Sequence, residues 1–409
     1  MAKGKNKQGS EGHPVAKNAP TQTNVEGPAM GPADSRDNPG PEAEAQAAKS
    51  SLQDKATDKT TTSPPSSPSR FSLRMSAIWW RSLQYVGMAL HCMAPPRPPS
   101  PNFTRTVTST LSKQHKGGTF TLQFYTPKAY GQRAENGQSA GPFPTVVNFH
   151  GGGFVLGAGT DDARFARHVM QTAGAIFVSV EYRLAPEHAF PTAVEDGADA
   201  LLYLIRNAAS LRIDPERLAT SGFSAGGNLC LTSLLRLGAY KEEVADAASS
   251  SPLPAHNVVA TATWYPAVDY KLSRAERRAT CTRPDQALPS NLTDLFDASY
   301  LYPPDLDLSD PHLSPSQASD ERLARDLPPC ILFYTCEWDM LLREGEHLAR
   351  RLGREPIGKD VYYKMIPAVP HGWDKSPNPL TPAEGSEELY LDCCERLKAV
   401  FAENTTLAQ

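Results

Sequence analysis

"TSGFSAGGNL", residues 220–229, sets a serine between small residues, with apolar residues on both sides. "RLATSGFS" (217–224) reads as a strand and 226–237 as a helix. A strand that reverses directly into a helix leaves Ser224 at the strand's carboxyl end, with a helix N-terminus behind it. Gly222 and Gly226 remove the side chains that would collide in so tight a turn. Taken alone, the stretch admits two readings. Ser224 is a nucleophile on a sharp turn, or it lies in a glycine-rich β–α turn with no chemistry.

The sequence around it alternates in kind. "TFTLQFYTP" (119–127) alternates like an early antiparallel strand, whereas "TVVNFH" (145–150) and "AIFVSVEY" (175–182) are continuous runs typical of strands buried on both faces. "VVATATWYP" (258–266), "CILFYT" (330–335) and "VYYKMI" (361–366) continue the series. Helical stretches fall at 163–173, 193–207, 341–352 and 384–401, and Thr192 with Glu195 offers a capping box for the second of these. Strands alternating with helices predict a mostly parallel sheet covered on both faces. The interval 270–328 breaks the pattern, being rich in Pro, Asp, Ser and Arg with one short amphipathic piece around 292–300. Insertions of this length form lids or binding loops.

Composition divides the 409 residues. Residues 1–70 contain no Phe, Trp or Tyr and are dominated by Pro, Ser, Thr, Lys, Glu and Gln, so they are expected to be a disordered tail. Their charges are interspersed and nearly balanced, and the net charge of the chain is −4; neither suggests a nucleic-acid partner. The charged start, with no apolar stretch behind it, argues against a secretory signal. Seven scattered cysteines without a C-x-x-C pair point to reduced thiols in a cytoplasmic setting rather than a zinc site, which discounts the sequons at Asn102, Asn291 and Asn404. "RMSAIWWRSLQYVGMALHCM" (74–93) reads as a helix of about five turns. Its arginines and length argue against a membrane span, leaving packing on its own domain or peripheral membrane contact through Trp79 and Trp80. "APPRPPSP" (94–101) then ends the helix.

In an open parallel sheet, ligands gather at the carboxyl ends of the strands. "HGGGF" (150–154) follows the strand 145–149 and therefore shares an edge with Ser224. Its glycines let backbone N–H groups face a cavity unobstructed, as a tetrahedral oxyanion requires. Gly152 and Gly153, together with the N–H of Ala225, are the expected donors. A phosphate loop is the competing use, but no phosphate-binding glycine pattern is present. A serine nucleophile needs a histidine base and an acid that fixes its tautomer. Of the histidines after Ser224, only His371 lies on a short loop beyond the last core strand. Directly after the strand 330–335 come Glu337 and Asp339; Asp339 is preferred to Glu337 and to Asp269, which follows the preceding strand.

"HGGGF", "VEYRLAPEHAFPTAVEDG" (180–197), "GFSAGGNL", Ser314–Pro315, "LPP" (327–329), "WDMLLREGE" (338–346) and "HGW" (371–373) occur in this order. The set resembles the hormone-sensitive-lipase group of α/β-hydrolases, in particular its fungal esterase-like members, over about 71–401. That resemblance implies an α/β-hydrolase fold: a mostly parallel central sheet of about eight strands flanked by helices, in a domain of 71–409. It implies a helical cap built from 71–100 and 270–326. It also implies a serine carboxylesterase with the triad Ser224, Asp339 and His371, needing no metal or organic cofactor. Amide or lactone hydrolysis would use the same triad, and a ligand receptor on this fold would be expected to lose one of its members. Two positions depart from the group. Phe223 stands where an acid is common before the nucleophile, and Glu181 replaces an aspartate before "YRLAPEH", which is read as support for the oxyanion loop. The expected substrate is a small to medium apolar ester, its pocket suggested by Trp79, Trp80, Tyr300 and Tyr302.

Overall fold

The computed structural model describes residues 68–112, 118–132, 141–246 and 252–406. The expected disordered tail, up to residue 67, lies outside the described residues.

Continuous apolar runs become the central strands. β1 (Phe103–Thr108), β2 (Thr119–Tyr125), β3 (Phe143–Phe149), β4 (Ile176–Glu181), β5 (Ile213–Phe223), β6 (Val258–Trp264), β7 (Cys330–Cys336) and β8 (Asp360–Ile366) form one sheet. Its order is β1-β2-β4-β3-β5-β6-β7-β8. β2 pairs antiparallel with β1 and β4, and all pairings from β4 to β8 are parallel. Side chains alternate across each strand, so consecutive residues feed opposite cores. Val147, Ile331 and Phe333 enter one core, whereas Val146, Leu332 and Tyr334 enter the other.

The helices are α1 (Arg70–Met93), α2 (Ala163–His168), α3 (Thr192–Arg206), α4 (Ala225–Asp246), α5 (Arg274–Ala279), α6 (Ser290–Tyr300), α7 (Asp320–Asp326), α8 (Leu342–Leu352) and α9 (Ser386–Thr406). α3, α4 and α8 bury Leu201, Leu231 and Leu348 in the first core. α2 and α9 bury Phe165, Leu397 and Phe401 in the second. No helix among the described residues is long and apolar enough to cross a membrane.

One strand went unread, and two local expectations need correction. β1 carries no apolar run because it is an edge strand with mostly exposed side chains, and its partner β2 holds it through the backbone. Thr192 does not cap α3: Pro191 occupies that position, and its carbonyl accepts from Val194 and Glu195 N–H instead. The capping box lies in the insertion, where Ser273 and Glu276 bond reciprocally at the start of α5. That insertion is also more ordered than one short helix, since it holds α5, α6 and α7.

Candidate active site

β5 ends at Phe223, α4 begins at Ala225, and Ser224 between them takes a left-handed φ of 56°. The turn is held by Ser224 N–H donating to the Trp264 carbonyl at 2.9 Å, at the end of the neighbouring strand. A Cβ on Gly222 would collide with the Gly226 carbonyl, and one on Gly226 with the Phe149 carbonyl. The two glycines therefore allow β3, β5 and α4 to converge, and the strained serine is pushed outward.

Three distant segments meet at that serine. Ser224 Oγ lies 2.7 Å from His371 Nε2, and His371 Nδ1 lies 2.6 Å from Asp339 Oδ2. A carboxylate only accepts, so Nδ1 carries the proton and Nε2 is left as the acceptor for the serine hydroxyl. Asp339 is buried, and its other oxygen accepts Leu341 N–H at 3.0 Å. Glu337 and Asp269 lie elsewhere. Glu337 accepts Ala368 N–H at 2.7 Å and so ties down the loop that carries His371. Asp269 accepts from Gln317 and from Lys271 N–H.

The glycine loop after β3 runs beside the serine turn, and a Cβ on Gly151 would touch the Phe223 carbonyl and Ser224 Cβ. Gly152 and Gly153 have φ of 113° and 61°. Among the described residues, the N–H groups of Gly152, Gly153 and Ala225 have no backbone acceptor outside α4 itself. The segment "YRLAPEH" supports this loop. Tyr182 stacks on the His150 ring at 4.3 Å and its hydroxyl donates to the His150 carbonyl at 2.9 Å, while Ala185 N–H donates to the Phe154 carbonyl at 2.9 Å. Arg81 of α1 reaches the Val155 and Ala185 carbonyls, both at 2.8 Å.

A cavity of about 390 Å³ covers Ser224 and His371. Gly151, Gly152 and Gly153 form one wall; α1 contributes Trp80, Leu83 and Met88, and the insertion contributes Leu292 and Phe296. Only Trp80 of the four aromatics expected to line it does so. Trp79 is exposed, Tyr300 stacks on Phe154 at 3.8 Å, and the Arg70 guanidinium lies over the Tyr302 ring at 4.4 Å. Helical spacing explains the pair on α1, because adjacent residues point about 100° apart. A larger recess of about 560 Å³ between α4 and α7 is lined by neither Ser224 nor His371.

Sequence reasoning missed Lys375, which also borders the cavity. Its ammonium lies 2.9 Å from Asp374 Oδ2, 2.9 Å from Asp162 Oδ1 and 3.9 Å from the Phe223 ring centroid. Burial alone would lower its pKa, but Asp374, Tyr390 and Asp162 outweigh burial and hold it well above the ordinary lysine value. Asp374 also accepts from the hydroxyls of Tyr390 and Tyr265, and the Tyr265 ring stands edge-on to His371 at 4.9 Å. The aromatic at 223 therefore faces a cation.

Residues 146–375 match the family model described as alpha/beta hydrolase fold. A carboxylesterase of Mycobacterium tuberculosis is 35% identical over 231 residues, which are 56% of this chain and 66% of that protein. Human hormone-sensitive lipase is 42% identical over 101 residues, 25% of this chain and 9% of the lipase. The match thus spans just under two thirds of the mycobacterial protein and a small part of the human one. Among solved structures, an esterase of Pyrobaculum calidifontis superposes with a TM-score of 0.62 at 28% identity, covering 80% of this chain and 94% of that one.

Proposed function

Since the chain belongs to the alpha/beta hydrolase fold family, we propose that it is a serine carboxylic-ester hydrolase acting on a small to medium apolar ester. The observation that carries the reading is the continuous contact from Asp339 through His371 to Ser224, at 2.6 and 2.7 Å, on the floor of a largely apolar cavity. His371 Nε2 accepts the Ser224 proton as Oγ attacks the ester carbonyl. The developing oxyanion takes the N–H groups of Gly152, Gly153 and Ala225, which stabilise it more than the planar carbonyl. His371 then protonates the departing alcohol and activates water to cleave the acyl-enzyme, while Asp339 stabilises the imidazolium and holds its tautomer.

α1 and the insertion act as the cap. Support comes from Trp80, Leu83 and Met88 of α1 and Leu292 and Phe296 of the insertion, which roof the cavity. Phe296 also packs where a Cβ on Gly153 would stand, so the cap touches the oxyanion loop directly. The test is hydrolysis of a p-nitrophenyl ester series from acetate to long acyl chains, run beside Ser224→Ala. The variant is expected to lose turnover and also labelling of that serine by an organophosphate; equal turnover by the variant would sink the assignment.

A further inference from the structure

A second recess lies beside the space over Ser224. Gln84, Met88 and Asp161 border both that space and the recess, whose volume is about 380 Å³. Between the two stands a side-chain bridge. Gln84 Nε2 donates to Asp161 Oδ2 at 3.0 Å, and Gln84 Oε1 accepts Gly157 N–H at 2.7 Å. Ala158 N–H donates to the same Asp161 oxygen at 3.1 Å. The two spaces differ in chemistry. Leu83, Leu292 and Phe296 wall the first, whereas Arg81, Tyr85 and Thr160 add polar groups to the second, and Asp161 faces both.

Asp161 is set deep but half-buried, so part of its side chain stays open to these spaces. Among the described residues, its Oδ1 accepts no hydrogen bond. The one cation on the second wall, Arg81, already donates to two carbonyls and to Glu187. What the recess offers is therefore a carboxylate oxygen with no donor, while the nearest other cation, Lys375 on the first cavity, is held by Asp162 and Asp374. Such an oxygen favours a hydroxyl or an ammonium group and opposes a second anion.

We propose that the substrate reaches past Met88 and Gln84, and that Asp161 selects esters whose far end bears a hydroxyl or an ammonium group. This rests on the ester-hydrolase reading of the site and assigns the end of the substrate that the triad does not touch. The charged and titratable groups around Asp161 are His150 after β3, Asp162 beside it, Lys375 from the loop after β8, Cys92 of α1, Tyr125 of β2 and Tyr182 just after β4, with Arg81 and Tyr85 of α1 on the same recess. Burial pushes the Asp161 carboxyl up to about 6 and Asp162 adds to this, while His150, the Ala158 N–H and Lys375 oppose it. The carboxyl therefore gains its charge between about pH 5 and 7, which favours an ammonium-bearing substrate more than a neutral one.

The experiment measures kcat/KM for two sets of esters with the wild-type chain, Asp161→Leu and Asp161→Asn. One set varies the acid: p-nitrophenyl hexanoate and its ω-hydroxy and ω-amino counterparts. The other varies the alcohol: hexyl acetate and its ω-hydroxy and ω-amino counterparts. The readout is the ratio of substituted to plain ester, in which any loss common to both substrates cancels. In one of the two sets the wild-type ratio is expected to exceed that of Asp161→Leu by about ten-fold or more. The wild-type ammonium ratio rises between about pH 5 and 7, and that of Asp161→Asn does not. Equal ratios in wild type and Asp161→Leu for both sets would overturn the proposal, leaving Asp161 only to hold Gln84 and the turn. If the wild type cleaves none of the six esters, the ester reading itself fails, which is a different result from an unchanged ratio.

Discussion

Replacing Phe223 by leucine and Lys375 by methionine, singly and together, isolates one interaction beside Ser224. The Lys375 ammonium lies 3.9 Å from the Phe223 ring centroid, and Phe223 is 1% exposed. A desolvated cation over an aromatic face contributes about 2 kcal/mol. Phe223→Leu also loses the stack on Trp264 at 5.4 Å and the edge contact with Phe165 at 5.6 Å. With the smaller side chain, the total loss for that variant is about 3–4 kcal/mol. Lys375→Met strips Asp162 and Asp374 of their shared cation, a change that costs about 3–5 kcal/mol when both charges stay buried. Each single variant removes the ring–ammonium contact, and the double variant removes it once. The double loss should therefore fall short of the sum by about 2 kcal/mol. Equilibrium urea unfolding at neutral pH measures all four stabilities, with an unchanged m-value as the check on two-state behaviour. A coupling below about 0.5 kcal/mol, the ordinary error of additivity, would refute the electrostatic reading and leave Phe223 as packing alone.

Two further outcomes follow from the same geometry. The Asp161 carboxyl is raised from 3.8 to about 6 in the folded chain, chiefly by burial, so it binds its proton more tightly folded than unfolded. Raising the pH between those values therefore costs stability, and Asp161→Asn should gain on the wild type by about 2 kcal/mol from pH 4 to 7 and hold level above; urea unfolding across that range would show a flat difference if the reasoning fails. Gly153→Ala forces a side chain into the Phe296 ring at a φ of 61°. On the proposed mechanism this displaces one oxyanion donor and should lower kcat by about 100-fold with KM changed far less; steady-state kinetics with an unaltered circular dichroism spectrum checks this.

The sheet was legible because parallel strands buried on both faces leave continuous β-branched runs, as β3, β4 and β6 do. β1 left no such mark, since five of its six residues are not buried and its place is fixed by the backbone of β2. Candidate site residues were legible for a topological reason. In a parallel sheet every strand's carboxyl end lies on one edge, so order along the chain translates into proximity in space. Ser224, Asp339 and His371 could be drawn together on paper without knowing a single distance.

Lys375 and Asp161 show where that translation stops. Both sit on loops beyond strand ends, as the triad candidates do, yet neither belongs to a spacing that demands chemistry. Lys375 reads in sequence as a surface lysine four residues past His371. Its significance depends on the ring of Phe223, 152 positions away, and on two carboxylates that reach it from different segments. The cluster also explains how Phe223 is tolerated. Asp162 and Asp374 already give the ammonium two charge-assisted partners, so an acid at 223 would add a third buried carboxylate to a single cation. An aromatic face adds attraction there without the desolvation cost of another ionised group. The side chain before Ser224 is thus constrained by the charge count of a buried cluster, a property of three loops together that no one stretch of sequence contains.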